Sequence, residues 1–231
     1  LNLSEYKPLN KILQIPDNKI IKEVSSPHGL ITVVKTGRIP LRYSPGLSLK
    51  NPYKLPEQLA LFTDGDSLSA INRFNYDISE IGHMDYVTGA LAYHLVEDPK
   101  VLIAGLSGGE NILRALYFNS EKIDVVETNP QIVELLKKEY NNFSGNIYDL
   151  PTIKIYIGNL RNFLMETKNL YDVISISPEN SSAMSTAGFE SVHPSNLFTV
   201  EAIKVYLDKL EANGILSITS WIKIPPRNSL K

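Results

Sequence analysis

The fold of this 231-residue chain is decided by the stretch VLIAGLSGGENIL, which runs from Val101 to Leu113. Its first four residues are apolar, as in a buried strand, and they lead into a turn containing Gly105, Gly108 and Gly109. Glycine lets the backbone approach a ligand closely, and the first turn of the following helix offers free N–H groups. The spacing is G-x-x-G-G rather than the G-x-G-x-x-G of dinucleotide-binding folds, which disfavours an NAD-dependent dehydrogenase. A tight strand-to-helix turn without a ligand is the alternative interpretation.

Alternating strands and helices surround this turn. The predicted strands are Val101–Ala104, Ile123–Glu127, Ile153–Ile157, Tyr171–Ser177 and Ile215–Trp221. The predicted helices are Ile78–Val96, Asn111–Phe118, Pro130–Tyr140, Leu160–Thr167 and Leu197–Leu210, the last ended by Asn213-Gly214. Strands joined by helices form a parallel sheet covered on both faces, and ligands of such sheets lie beyond the carboxyl ends of the strands. The sequence therefore predicts a doubly wound α/β domain.

The beginning of the chain has a different composition, rich in proline and in β-forming residues. The apolar runs Ile20–Val24 and Leu30–Lys35 flank a Ser-Ser-Pro-His-Gly turn, and Leu59–Thr63 is a third predicted strand, ended by Asp64-Gly65-Asp66. We therefore predict two regions, a small β-rich subdomain over residues 1–70 and a nucleoside-binding α/β domain over residues 71–231.

The composition excludes several classes of protein. With 43% hydrophobic and 21% charged residues the chain is not disordered, and no run of about 18 apolar residues would span a membrane. A net charge of −2 gives no basic excess, so nucleic acid is not a predicted partner. Cysteine is absent, which excludes disulfides and thiolate metal sites, and we predict no metal.

Two further signals point to a nucleoside. Glu127 ends the strand after the glycine turn, where an acid can accept hydrogen bonds from both ribose hydroxyls, and Asn129-Pro130 then starts a helix. Asn159 follows the third strand, where its amide can bond the edge of a base. A solvated Glu127 and a helix-capping Asn159 are the alternatives, and capping is compatible with base recognition.

Several segments carry a resemblance to a known family: Ser26-Pro27-His28-Gly29, the Val101–Gly109 loop, Val125–Pro130, Arg161–Leu164 and Tyr171–Ile174. With them the chain resembles the polyamine aminopropyltransferases, or spermidine synthase family, on the class I methyltransferase fold. The resemblance implies binding of S-adenosylmethionine or its decarboxylated form, and transfer of an aminopropyl or methyl group to a small amine. The residues implied to bind the cofactor are Gly105, Ser107, Gly108, Gly109, Glu127, Asn129, Asn159, Leu160 and Ser177.

The chain departs from the family at the catalytic positions. Active members have an aspartate at the end of the fourth strand and another three residues later, where this chain has Ser177 and Asn180. Neither ionises at neutral pH, so the neighbouring Glu179 is the candidate replacement base, and Asp85, on the predicted helix before the glycine loop, is expected to face the site. A catalytically inactive, nucleoside-binding regulatory domain of a membrane protein is therefore the alternative function. The segment 178–194 is either a lid over the cofactor or a surface loop.

The chain most resembles a bacterial subgroup of the family whose domains are attached to multi-pass membrane segments. This resemblance is carried by Tyr6–Leu9, Ser44–Leu49, Phe62–Asp66, Thr199–Ala202 and Pro225–Arg227. The methyltransferase sheet normally has seven strands, and only five are found before Lys231. We therefore expect the C-terminal strands of the sheet to be missing, with the chain a piece of a longer membrane-attached protein at the cytoplasmic face. A homodimer through the β-subdomain is a further expectation from the resemblance.

Overall fold

A computed structural model describes residues 5–177 and 196–219 of the chain. It contains a four-stranded antiparallel sheet followed by a five-stranded parallel sheet with helices on its faces. This confirms the predicted α/β class, with a β-rich region preceding a doubly wound domain.

The antiparallel sheet is a meander of four strands, ordered β1 (Lys19–Ser26), β2 (Gly29–Lys35), β3 (Gln58–Thr63) and β4 (Ser67–Asn72). The turn between β3 and β4 places Asp64 and Gly65 at positive φ, 53° and 72°, which lets the two strands pair directly. A short helix, α1 (Pro8–Leu13), buries Leu9 against this sheet. Neither α1 nor β4 was predicted from the sequence, and β4 runs across the predicted division at residue 70.

The parallel sheet has the strand order β7-β6-β5-β8-β9. Its strands are β5 (Lys100–Ala104), β6 (Lys122–Glu127), β7 (Ile153–Ile157), β8 (Tyr171–Ile176) and β9 (Leu210–Ile218), and its helices are α2 (Glu110–Tyr117), α3 (Pro130–Lys138), α4 (Leu160–Glu166) and α5 (Val200–Leu207). A 3₁₀ turn, Ile147–Asp149, precedes β7. Alternate residues of the central strand β5 join two separate apolar cores, one on each face, so the strand is apolar throughout.

The predicted helix Ile78–Val96 is wrong in type. The chain forms two 3₁₀ helices, Ile78–Tyr86 and Thr88–Leu95, separated by the extended residue Val87. The proline-rich loop between β2 and β3, residues 36–57, breaks the helix by binding its backbone. The Ser48 N–H donates to the Tyr86 carbonyl at 2.8 Å, and the Thr88 N–H donates to the Gly46 carbonyl at 3.0 Å. Backbone groups engaged by a distant segment cannot complete a continuous helical ladder.

The predicted helix Leu197–Leu210 is too long at both ends. A 3₁₀ turn, Asn196–Phe198, comes first, and the Thr199 hydroxyl caps α5 by accepting from the Ala202 N–H at 3.1 Å. Leu210 already pairs with Tyr171 in the sheet, so Asn213-Gly214 lies within β9, where the register shifts, and does not end the helix.

Candidate functional site

The site predicted from the sequence lies where β5, β6, β7 and β8 reach their carboxyl ends. Backbone hydrogen bonds join the turns that follow these strands. The Gly105 N–H donates to the Val126 carbonyl at 2.8 Å, and the Gly158 N–H donates to the Glu127 carbonyl at 2.9 Å. The end of β6 therefore holds the turns after β5 and after β7 in fixed relation, which places the glycine loop, Glu127 and Asn159 along one edge of the sheet.

The glycine loop reverses direction by placing alternate residues at positive φ. These residues are Gly105 (87°), Ser107 (47°) and Gly109 (90°), after which α2 begins. Two of the three are glycines, for which this region carries no steric cost, whereas Ser107 adopts it with a side chain. Ser107 is also buried, at 7% exposure, so the surrounding structure holds this strained residue in place.

Two glycines of the loop are required by packing within the chain. A Cβ on Gly108 would lie 2.1 Å from the carbonyl oxygen of Ala70 in β4, and one on Gly109 would lie 2.5 Å from the Tyr148 hydroxyl. Packing within the chain therefore already requires glycine at both positions, and a role of these glycines in close approach of a ligand stays a prediction. Gly108 seats the loop on the antiparallel sheet, and Gly109 accommodates the segment before β7.

Glu127 is buried, at 5% exposure, and binds the backbone on both sides of the site. Its Oε2 accepts from the Leu106 N–H at 2.8 Å, and its Oε1 accepts from the Asn129 N–H at 2.8 Å and from the Thr128 hydroxyl at 3.4 Å. No cation pairs with this carboxylate among the residues that the structure describes. The loop that would hold a phosphate in a dinucleotide-binding fold is thus already bound to an anion of the chain itself.

The two asparagines each cap a helix. Asn129 Oδ1 accepts from the Gln131 N–H at 3.0 Å at the start of α3, and Asn159 Oδ1 accepts from the Arg161 N–H at 2.9 Å at the start of α4. Asn129 is buried and Asn159 is exposed. The capping interpretation of Asn159 is confirmed, and its amide nitrogen bonds no residue of the described ranges. Leu160, also predicted at the site, is buried in the core beneath α4.

The described part of the chain leaves space beside Asn159. A Cβ built on Gly158 meets no heavy atom of the described residues within 4 Å, in contrast to the crowded Gly108 and Gly109. Ser177 directly follows β8, is 6% exposed, and lies one strand away from the glycine loop. The structure therefore groups Gly105, Ser107, Glu127, Asn159 and Ser177 at one edge of the sheet. Glu179, Asn180 and the predicted lid 178–194 fall outside the described residues.

Asp85 is placed away from this group. Its carboxylate lies 3.0 Å from His94 Nε2, and the His94 ring packs on Phe118 just beyond the end of α2. Because α2 begins at the glycine loop and is eight residues long, its far end is about 12 Å from that loop. The structure does not bring Asp85 together with the other predicted residues, and a role in binding the amine stays a prediction.

A buried polar cluster behind the loop was not found from the sequence. Arg114 on α2 is 3% exposed, its guanidinium packs against Gly89, and Glu110 lies 3.9 Å from it. Burial, and secondarily the Arg114 charge, lowers the pKa of His83 to about 4. Burial raises the pKa of Tyr93 to about 12, against the lowering effect of Arg114. His83 is therefore neutral at pH 7, and no local motif in the sequence indicated this cluster.

The remaining features concern grooves, metal-binding groups and membrane-spanning helices. Two open grooves of about 340 and 360 Å³ lie elsewhere, one beside Tyr53 and Glu80 and one at the amino ends of β5 and β6. In residues 5–177 and 196–219, no three metal-binding side chains are grouped to hold an ion. In the same ranges no helix is both long and apolar enough to cross a membrane.

The sequence and fold match known proteins. The sequence model of the spermine/spermidine synthase domain matches residues 78–222, more than half of the chain. A polyamine aminopropyltransferase from Streptococcus pneumoniae serotype 4 is 28% identical over 138 residues, covering 57% of this chain and 45% of that protein. Another, from Buchnera aphidicola subsp. Schizaphis graminum, is 33% identical over 84 residues, covering 36% and 29% respectively. The matched part thus spans less than half the length of these relatives.

Solved structures agree on the fold. A spermidine synthase crystallised with the transition-state analogue AdoDATO gives a TM-score of 0.57 at 23% identity, with 87% of this chain matched to 57% of that one. The spermidine synthase of Thermotoga maritima gives 0.55 at 21% identity, with 87% matched to 55%. These two structures support the fold, and the family match over residues 78–222 shows that the chain belongs to the spermine/spermidine synthase domain family.

Proposed function

We propose that this domain binds S-adenosylmethionine or decarboxylated S-adenosylmethionine at the carboxyl edge of the parallel sheet and transfers an aminopropyl, or alternatively a methyl, group to a small amine. The observation that carries the proposal is the buried Glu127 carboxylate, held by the Leu106 and Asn129 N–H groups and paired with no cation of residues 5–177 or 196–219. A carboxylate offers about four acceptor positions, and two short bonds leave acceptor capacity for ribose hydroxyls.

The charge of the Glu127 carboxylate favours a nucleoside over a nucleotide. An uncompensated carboxylate beside the glycine loop repels a phosphate group but accepts hydrogen bonds from neutral hydroxyls. The residues present therefore fit a nucleoside that carries no phosphate, such as the adenosyl part of the proposed cofactor. A position for the base beside Asn159 is supported by the space at Gly158, which no described residue fills, and by the Asn159 amide nitrogen, to which no described residue is bonded.

Chemistry at this site depends on few groups of the chain. When bound, the sulfonium cofactor supplies an electrophilic carbon to which the amine nitrogen bonds as the carbon–sulfur bond breaks, the electron pair passing to sulfur and one amine proton being released. Ser177 sits at the end of β8, beside this edge, and can only donate or accept a hydrogen bond at neutral pH. Glu179 is the proposed proton acceptor, and positioning supplies the rest of the rate.

A panel of ligands and products tests the proposal. The whole chain is titrated calorimetrically with S-adenosylmethionine, its decarboxylated form and 5′-methylthioadenosine, and then incubated with each donor and a diamine while products are followed by mass spectrometry. Preference for the decarboxylated donor and appearance of an aminopropylated amine support aminopropyl transfer, and a methylated amine supports methyl transfer. Binding without either product indicates a nucleoside-binding regulatory domain. No binding of any nucleoside contradicts the proposal.

Reintroducing the two aspartates gives a sharper test of the catalytic positions. The double variant Ser177→Asp, Asn180→Asp restores the acid pair of the active relatives, and we expect it to transfer aminopropyl groups faster than the wild type. Glu179→Gln in the wild-type background removes the proposed proton acceptor and is expected to slow transfer at least about tenfold. Unchanged turnover in Glu179→Gln contradicts the role given to Glu179.

We further propose, on the subgroup resemblance alone, that the parent protein is attached to a membrane through segments outside this chain, with this domain at the cytoplasmic face, and that the domain forms a homodimer. Sedimentation analysis of the domain tests the dimer. Fractionation and protease protection of the full-length parent test the attachment and its side. Recovery of the parent in the soluble fraction contradicts the attachment.

A further inference from the structure

Three tyrosines lie near Asp85, at the end of α2 that points away from the glycine loop. Tyr53 comes from the proline-rich loop, Tyr86 from the first 3₁₀ helix, and Tyr117 is the last residue of α2. We call Asp85 and these three tyrosines the tyrosine cluster. Three separate segments thus bring aromatic rings and one carboxylate to a single surface position, and the proposed nucleoside site uses none of the three tyrosines.

The rings are held by packing within the chain. The Tyr53 and Tyr86 ring centroids lie 5.9 Å apart with their planes at 58°. Tyr53 lies flat enough on Gly82 that a Cβ there would come within 2.7 Å of its ring. Tyr117 packs edge-on against Phe118 at 5.1 Å, and Phe118 also contacts His94, which pairs with Asp85. This contact chain fixes the position of the carboxylate relative to the Tyr117 ring.

The cluster is electronegative and open to solvent. Tyr53 is 42% exposed, and Tyr86 and Tyr117 are half-buried. Partial burial raises the pKa of Tyr117 most, and the negative charge of Asp85, followed by that of Tyr53 and Tyr86 once they ionise, raises it further. Among the described residues, no lysine or arginine contributes to this shift, and the only ion-pair partner of Asp85 is His94. The surface therefore combines negative aromatic faces with one carboxylate.

We propose that the tyrosine cluster is a second ligand site, which binds an organic ammonium cation. Aromatic faces attract cations within about 6 Å of the ring centroid, and the Asp85 carboxylate adds direct charge attraction. A quaternary ammonium group uses both interactions although it has no N–H to donate. An acceptor site for amine transfer, in contrast, must engage an amine with a free electron pair, so the two sites differ in the cations they accept.

A quaternary cation provides a probe that the transfer reaction cannot use. The whole chain is titrated with tetramethylammonium chloride by calorimetry and by NMR, at constant ionic strength with sodium chloride as the reference salt. We expect saturable binding to the wild type. Tyr117→Leu should weaken it about fivefold, since one cation–π contact is lost, whereas Tyr117→Phe keeps the aromatic face and should retain it.

The carboxylate is tested with a matched pair. Asp85→Asn should weaken binding of tetramethylammonium several-fold, and Asp208→Asn, which removes an exposed carboxylate at the end of α5, should not. Thermal unfolding of each variant shows that it is folded, independently of any nucleoside affinity. Absence of saturable binding to the wild type overturns the proposal. So does wild-type affinity for tetramethylammonium in both Tyr117→Leu and Asp85→Asn. Either result leaves the nucleoside titration unaffected, so this site and the proposed transferase site fail separately.

Discussion

The Glu127 carboxylate accepts a hydrogen bond from the Leu106 N–H at 2.8 Å, which joins the end of β6 to the glycine loop 21 residues earlier in the chain. The same carboxylate accepts from the Asn129 N–H at the start of α3. One buried side chain thus fixes two turns that border the proposed nucleoside site. Its structural role and its proposed ribose-binding role use different lone pairs of the same group.

Glu127→Gln tests the structural role. Glutamine keeps the shape but presents an NH₂ to one of the two backbone N–H donors, so one charge-assisted hydrogen bond is lost and two donors face each other. We expect the free energy of unfolding to fall by roughly 2 kcal/mol in urea denaturation. Glu134→Gln is the control, because its carboxylate is exposed on α3 and, among the described residues, pairs with Lys138 alone. Equal stability of the two variants would refute the anchoring role.

Gly108→Ala tests the seating of the loop on the antiparallel sheet. The added methyl group would lie 2.1 Å from the Ala70 carbonyl oxygen, which is backbone and cannot move aside without shifting β4. We expect a loss of stability of about 3 kcal/mol, as for other overpacked sites. The neighbouring change Ser107→Gly relieves a side chain at φ 47° and should cost less stability than Gly108→Ala. Thermal unfolding compares the two, and a fully stable Gly108→Ala contradicts the contact.

Tyr171→Phe tests a charged hydrogen bond in the core. The Tyr171 hydroxyl donates to Asp124 Oδ2 at 2.8 Å, and both residues have no exposed surface. Its loss leaves a buried carboxylate with fewer donors, and we expect destabilisation of roughly 2 kcal/mol. Tyr206→Phe removes an equally buried hydroxyl that donates to the neutral Leu197 carbonyl at 3.0 Å. Urea denaturation should rank Tyr171→Phe as the more damaging change; the reverse order would exclude a special role for Asp124.

His83 should make the fold sensitive to mild acid. Burial, with Arg114 beside it, lowers the pKa of His83 from 6.5 to about 4, so between these values the unfolded chain binds a proton that the folded chain rejects. The free energy of unfolding should therefore fall as the pH drops from about 6.5 to about 4, by on the order of 2 kcal/mol. His83→Leu should lose this part of the pH dependence, whereas the turn variant His28→Asn should retain it. Parallel pH profiles for wild type and His83→Leu would contradict the assignment.

The parallel sheet could be predicted because its signals are local. Strand Ile153–Ile157 was predicted with its observed bounds, since a short apolar run between turn residues suffices to define it. The position of Glu127 beside the glycine loop also follows from the topology, because parallel neighbours share their carboxyl edge. The caps of α3 and α4 likewise depend on residues next to the helices they start.

Features that depend on distant contacts could not be predicted. The break at Val87 is imposed by backbone groups of Gly46 and Ser48, some forty residues earlier. Gly108 has its neighbour in Ala70, a residue of β4, and Asp85 is held by His94. In each case the partner belongs to another element, so no local pattern identified it.

Titration of the wild-type chain and of Glu127→Gln with 5′-methylthioadenosine and with adenosine 5′-monophosphate tests the central claim most directly. The wild type should bind the uncharged nucleoside at one site and discriminate at least about tenfold against the phosphate, because the Glu127 carboxylate repels it. Glu127→Gln should lose most of the nucleoside affinity and most of this discrimination. No nucleoside binding by the wild type, or equal affinity for nucleoside and nucleotide in both proteins, would contradict the account.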